Sequence, residues 1–355
     1  MSAAPHLRNL AQKGIAAAER SIDRLRYDIL GRKDEEAEPH ILAYHGYRND
    51  KRLILKGRLV ESWPGHAGVS EASFAKVRNM LRLYESDELP GEKVDIKLMG
   101  ETHHLESDGE GYFTLDIAID RPLPERSEWE KAEISTPALG AATVIAEILA
   151  PGREVGLAVI SDIDDTVLET GVSNFLANWK RILMEMPEER VVVEGAPELY
   201  TMLTGEEGQR APIFYVSSSP WNLFGYLARF MQKKQLPQGP MFLKDYGVDD
   251  AKFIASAHTE HKIEAVRHIL EMYPNMRFLC IGDDGEKDVD VYAEASKEHP
   301  ERVVGVFIRD VHGTGRSARH DEALQELQGR GIEVYFGQTL GEAQEVADRL
   351  GFGRT

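Results

Sequence analysis

GLAVISDIDDTV, residues 156–167, decides how the second half of the chain folds. Its first half, Gly156–Ser161, is an unbroken apolar run of strand length, as a strand covered on both faces requires. It passes directly into Asp162, Ile163, Asp164, Asp165 and Thr166, placing three acids within four positions at a strand end. Downstream, apolar runs at Pro212–Ser217, Arg277–Ile281, Val303–Ile308 and Ile332–Phe336 alternate with helical patterns at Pro220–Lys233, Lys262–Tyr273 and Gly341–Leu350. That alternation predicts an α/β domain over residues 151–355, doubly wound on a parallel sheet. Ligands of such sheets collect beyond the carboxyl ends of the strands, so the residues after each strand carry the functional reading.

A second acidic cluster follows RFLCI: Gly282, Asp283, Asp284 and, further on, Asp288. In an extended backbone Asp162 and Asp164 project to the same side. If the two strand ends are neighbours, up to six carboxylates converge, and they repel one another unless a proton or cation intervenes. Hard oxygen donors in small number, with room for water and a phosphate, suit Mg2+. IFYV runs into Ser217, Ser218, Ser219 and Pro220. A serine capping a helix with proline in its first turn would leave amides and a hydroxyl facing an anion. Lys262, after HTEH, is expected to open another helix and to offset charge on a transferring phosphoryl group. Singly, Ser217 reads as a loop cap, Lys262 as a solvated charge and Asp288 as an acid in a first helical turn. The ordered series points to phosphoryl chemistry.

That series resembles the four motifs of the haloacid-dehalogenase-like phosphohydrolase superfamily. Within it, VISDIDDTV (159–167), FYVSSSPWNL (214–223), HK (261–262) and IGDDGEKD (281–288) resemble the catalytic domain of the actin-patch-associated phosphatidate phosphatase family. YHGYRNDKRLILKGRLVES (44–62) resembles the start of the β domain that precedes it in bacterial members. The resemblance implies a Rossmannoid catalytic domain with a minimal cap. It implies Asp162 as nucleophile, forming an aspartyl-phosphate, and Asp164 as acid and base. Thr166, Ser217 and Ser218 would position phosphate oxygens, and Lys262 would neutralise the pentavalent species. Mg2+ would be held by Asp162, the backbone carbonyl of Asp164 and Asp283, with Asp288 and Asp284 orienting its water. This chain has Asp284 where many relatives have Ser, and Val289 and Asp290 where they have a Pro-Glu pair, which changes the charge around the metal. Cytoskeletal association is not carried over.

The implied substrate is a lipid phosphate such as phosphatidate. A soluble or protein-borne phosphomonoester is the alternative, and a partner-binding module with a degenerate phosphatase domain is the alternative of another class. The short spans between the motifs leave little for a large cap, and a site without a lid admits bulky phosphates. Val172, Phe175, Leu176, Trp179, Ile182, Leu183 and Met186 form an apolar stripe at helical steps, read first as core packing and second as a surface for acyl chains.

Upstream, residues 38–150 show short strand-like segments, Leu53–Val60, Lys93–Met99, Tyr112–Ala118 and Thr143–Leu149, and predict a small antiparallel sandwich-like β domain. Residues 1–37 predict an amphipathic helix, with Leu7, Ala11, Ile15, Ala18, Ile22, Leu25 and Ile29 on one face. Residues 1–60 hold 12 Lys and Arg against 8 Asp and Glu, so this stretch is +4 while the whole 355-residue chain is −18. The acidic balance argues against nucleic acid, and the basic helix either docks on its own globule or touches a membrane surface. No window has the length of a membrane span, and the lone Cys280 excludes an intramolecular disulfide, so a cytoplasmic location, peripheral at most to a membrane, is expected. His103 and His104 read as surface residues, and His258 with His261 as unpatterned loop histidines. Arg309, Asp310 and His312 follow a strand, within reach of the same crevice, and are candidates for a substrate contact. The oligomeric state stays open.

Overall fold

The computed structural model describes residues 39–61, 88–169, 190–205, 211–244, 256–285, 287–311, 313, 315 and 317–352. The expected N-terminal helix, the stripe from Val172 to Met186 and His312 lie outside the described residues.

Among the described residues, eight strands precede residue 151: β1 His40–Ala43, β2 Gly46–Arg48, β3 Arg52–Val60, β4 Lys93–Leu98, β5 Glu101–Glu106, β6 Tyr112–Ala118, β7 Glu128–Ser135 and β8 Val144–Ala150. They form one hydrogen-bonded network in the order β1-β3-β2-β8-β7-β4-β5, with β6 on the other side of β3. β1 and β2 pair with successive parts of β3 and so act as one interrupted strand, broken at Tyr44 and His45. Binary patterning explains the local choices: in β4, Val94, Ile96 and Leu98 are buried while Lys93 and Lys97 are exposed. Met99 and Gly100, both at positive φ (53° and 87°), make the two-residue turn from β4 to β5, a geometry that matches strand twist. Antiparallel pairing was expected throughout, but β2 and β8 run parallel. Some hundred residues separate them, so no tight turn dictates their sense.

The second sheet contains β9 Leu157–Ser161, β10 Ile213–Pro220, β11 Met241–Lys244, β12 Arg277–Asp283, β13 Val303–Arg309 and β14 Glu333–Gly337. All five pairings are parallel, in the order β11-β10-β9-β12-β13-β14. Its helices are α1 Ala196–Thr204, α2 Phe224–Lys233, α3 Ser256–Met272, α4 Asp288–Glu298, α5 Ala318–Gly329 and α6 Ala343–Arg349. Alternate residues of each strand feed opposite faces: Val159, Leu279 and Phe307 pack with α1, α2 and α6, whereas Ile160, Phe278, Cys280 and Val306 pack with α3, α4 and α5. Each such fully buried side chain contributes about 1.5–3 kcal/mol. Burial pushes the Cys280 thiol well above its ordinary range, which leaves it a packing residue.

Strand order reverses between β9 and β12, so this is the switch point at which a crevice opens beyond the strand ends. The two sheets are also in contact. Tyr47, Ile54 and Leu149 share the core of α3 and β12, Tyr47 Oη lies 2.9 Å from His268 Nε2, and Asn49 donates to the Met272 carbonyl at 2.7 Å.

Two local expectations are corrected. β10 continues through all three serines to Pro220, followed by a 3-10 turn at Trp221–Leu223, so Ser217 caps no helix. α3 starts at Ser256, which puts Lys262 and His261 in its second turn rather than at its opening.

Candidate functional site

β9 delivers Asp162 to the crevice floor, where its N–H donates to the Ile281 carbonyl at 2.9 Å and so registers it against β12. β12 ends in Asp283, and α4 begins with Asp288, whose Oδ2 accepts the Asp283 N–H at 3.2 Å. The close approach requires Gly282: a Cβ there would lie 2.5 Å from Asp288 Oδ2. One oxygen from each of Asp162, Asp283 and Asp288 falls within a span of 4.8 Å, and all three residues are buried. Lys262, from α3, donates to Asp162 Oδ1 at 2.8 Å and to Asp288 Oδ1 at 2.6 Å. Set against the Lys262 ammonium alone, the three buried carboxylates sum to a formal −2 when ionised. A divalent cation held by hard oxygen donors fits that charge and that donor set.

The loop after Asp162 is shaped by its own backbone. Val167 and Leu168 donate to the Ile163 carbonyl, Asp165 donates to the Leu168 carbonyl, and Asp165 takes φ 55°, a conformation aspartate tolerates better than most residues. The turn brings Asp164 toward β10, where its Oδ2 accepts from Ser217 Oγ at 2.8 Å and Ser219 Oγ at 3.0 Å. Ser217 Oγ in turn accepts the Ser219 N–H at 2.9 Å. Ser218, between them in the strand, and Thr166 are also buried, and the Thr166 hydroxyl has no hydrogen-bond partner among the described residues. A buried hydroxyl in that position is available to an incoming oxygen.

Asp284 is not part of the carboxylate group: its Oδ1 accepts the Val311 N–H at 2.9 Å, which turns it toward the β13 loop. Arg309 donates to the Asp165 carbonyl at 2.7 Å and to Glu169 at 3.0 Å, thereby bracing the loop of Asp162–Glu169 rather than reaching into the crevice. Asp310 accepts the Gly315 N–H at 2.9 Å. The His261 imidazole is pushed below its ordinary range by burial and then by the Lys244 and Lys262 ammonium groups, a cationic setting unsuited to a metal ligand. His104 pairs with Asp95 on an exposed face of the first sheet, on the side opposite its strand neighbour His103.

Sequence reasoning passed over Ser219 as a partner of Asp164, and Lys244, buried at the end of β11 opposite Pro220. The only signal for Lys244 was a lysine closing the apolar run MFLK. A cleft of about 1340 Å3 lies elsewhere, between His45, Trp129 and Glu147 of the first sheet and α1 and α2, and shares no residue with this group.

Fold and site together define an α/β protein with a buried, cation-ready acidic pocket at the switch point of a parallel sheet. Residues 157–310 match the sequence model of the family described as "Phosphatidate phosphatase APP1, catalytic domain". Phosphatidate phosphatase APP1 of Saccharomyces cerevisiae is 28% identical over 310 residues, covering 83% of this chain and 51% of the yeast protein. An uncharacterized protein of Schizosaccharomyces pombe is 26% identical over 237 residues, covering 65% of this chain and 38% of that one. The chain thus spans about half or less of the length of these curated relatives. Among solved structures, a carbohydrate acetylesterase from Xanthomonas citri aligns over 88% of this chain and 73% of its own, at 8% identity and a TM-score of 0.33, too distant to carry an argument.

Proposed function

We propose that the chain is a Mg2+-dependent phosphatase that cleaves a phosphomonoester through an aspartyl-phosphate on Asp162. Phosphatidate is the favoured substrate, supported by similarity to the yeast enzyme of that name. The observation that carries the proposal is the buried Asp162–Asp283–Asp288 group, with Lys262 on Asp162 and Asp288, and Asp164, two residues beyond Asp162, held by two serine hydroxyls.

In this reading Asp162, Asp283 and Asp288 hold Mg2+, which when bound screens the phosphate charge from the nucleophile. An Asp162 carboxylate oxygen attacks phosphorus, and the bond from phosphorus to the alkoxide oxygen breaks. Asp164, aimed by Ser217 and Ser219, gives its proton to the leaving alkoxide. It then takes a proton from water, whose oxygen attacks the acyl phosphate and returns Asp162 as a carboxylate with release of inorganic phosphate. Lys262 stands where negative charge gathers in both steps, a contribution of order 10²–10³ in rate for a well-placed donor. Thr166 and Ser218, both buried, are assigned to phosphate oxygens through their hydroxyls.

The test is phosphate release from an aryl phosphate and from phosphatidate in mixed micelles, with Mg2+ or with EDTA, using wild type and Asp162→Asn. Turnover of both substrates that needs Mg2+ and vanishes in Asp162→Asn is the expected result. Aryl turnover with none on any lipid would shift the substrate to a soluble or protein-borne phosphomonoester. No turnover at all would replace the enzyme by a binding module.

A cytoplasmic site of action with peripheral membrane contact belongs to the same proposal, supported by the basic first 60 residues. Removing residues 1–33 should weaken sedimentation with anionic vesicles and spare aryl phosphate turnover. Equal sedimentation would assign the segment to the globule.

A further inference from the structure

We propose that the first sheet positions the serines that aim Asp164, through a clamp in which Arg58 and Tyr44 grip the Trp221–Phe224 segment. The proposal rests on the function given above and assigns part of that site's geometry to the other sheet. Ser217 and Ser219 orient Asp164, yet the parallel sheet does not hold them in register. Pairing of β10 with β9 ends at Tyr215 and Ser161, and its pairing with β11 shifts register between Val216 and Pro220. The three serines therefore lie past one ladder and inside the irregularity of the other.

The segment immediately beyond them is gripped from outside. Tyr44, 2% exposed, sits in the break between β1 and β2, with its N–H on the Lys56 carbonyl at 3.0 Å. Its ring stacks on Trp221 with centroids 4.4 Å apart and planes 24° apart, and meets Phe224 at 4.8 Å. Arg58, 5% exposed, donates from Nη1 to Asn222 Oδ1 at 2.6 Å. Its remaining nitrogens are engaged by the Glu110 carbonyl at 2.9 Å and Glu88 at 3.0 Å, and its guanidinium lies 4.7 Å from the Tyr112 ring centroid. A planar fork with each nitrogen committed has little freedom to follow its partner, so Asn222 is held to the first sheet rather than the reverse. Position is then passed over three residues, from Asn222 through Pro220 to Ser219, the donor to Asp164. Displacements of an ångström at such a site cost on the order of 10²-fold in rate.

The experiment uses the full chain with Asn222→Ala, which removes the polar grip and leaves the other contacts of Arg58 in place, and Tyr44→Leu, which removes the stacking. Hydrogen exchange should speed up severalfold at the Ser218 and Ser219 amides in both variants and stay unchanged in α1. Turnover of an aryl phosphate should fall about tenfold in kcat with KM within about twofold, without a matching loss of folded protein. Adding Arg58→Gln to Asn222→Ala should lower kcat no further, because both act through one contact. Unchanged exchange and kcat in both variants beside an active wild type would overturn the clamp alone, as would a kcat loss that tracks the unfolded fraction. A wild type inactive on every phosphate would overturn the proposed function, and the exchange rates would still decide the clamp.

Discussion

Replacing Lys262 by Met tests the acidic pocket most directly. The side chain is 5% exposed and touches Asp162 and Asp288, themselves 1% and 0% exposed, at 2.8 and 2.6 Å. Methionine keeps the packing of the stem and deletes the charge. Two carboxylates whose oxygens lie within 4.8 Å then face each other in a dry pocket. At an effective dielectric constant of about 20 their repulsion is about 3.5 kcal/mol, in line with the roughly 3–5 kcal/mol cost of leaving a buried charge without its partner. In EDTA the melting temperature should fall on the order of 10 °C. Mg2+ should restore much of that loss, since a cation replaces the missing positive charge, so the variant should gain more stability from Mg2+ than wild type does. Turnover should drop about 10²–10³-fold even at saturating Mg2+, because the ammonium is absent when phosphoryl charge develops. Thermal melts with and without Mg2+, beside phosphate release, decide the matter. A variant destabilised equally with and without Mg2+, or not at all, would refute the electrostatic account of the three carboxylates.

Asp164→Asn should lower steady-state turnover about 10²–10⁴-fold, and rapid-quench labelling should show aspartyl-phosphate that forms poorly or is not released; unchanged turnover would mean that Asp164 is not the acid and base. Gly282→Ala places a methyl group 2.5 Å from Asp288 Oδ2 and should cost about 10–100-fold in Mg2+ affinity by titration calorimetry, with the fold retained by circular dichroism. Burial holds the His45 and His268 imidazoles below their ordinary 6.5, and positive neighbours Arg52 and Lys56 add to the effect at His268. The unfolded chain then binds protons that the native state resists, so stability is fully present above pH 6.5 and declines as pH falls through the lowered native values; melts from pH 8 to 5 should show this, with a shallower decline in His268→Gln.

Much of the architecture could be read from local pattern. Strand and helix periodicities are properties of a few consecutive side chains, so Leu53–Val60, Tyr112–Ala118 and the runs at Leu157, Arg277 and Val303 stand out in the sequence and lie in the observed strands. The acids after β9 and β12 were equally visible, because three or more carboxylates at the end of an apolar run have no packing role. Which strand ends are neighbours was not local information. Sheet order decided that Asp162 meets Asp283 and Asp288, and that Asp284, one residue on, turns to the Val311 amide instead. The start of α3 at Ser256, the extension of β10 through its serines, buried Lys244 and the grip of Arg58 on Asn222 likewise belong to the tertiary structure. Chain pattern determines where a backbone is extended or helical. Only closure of non-local contacts determines which polar groups share a dry pocket, and those contacts set the charge that the pocket must balance.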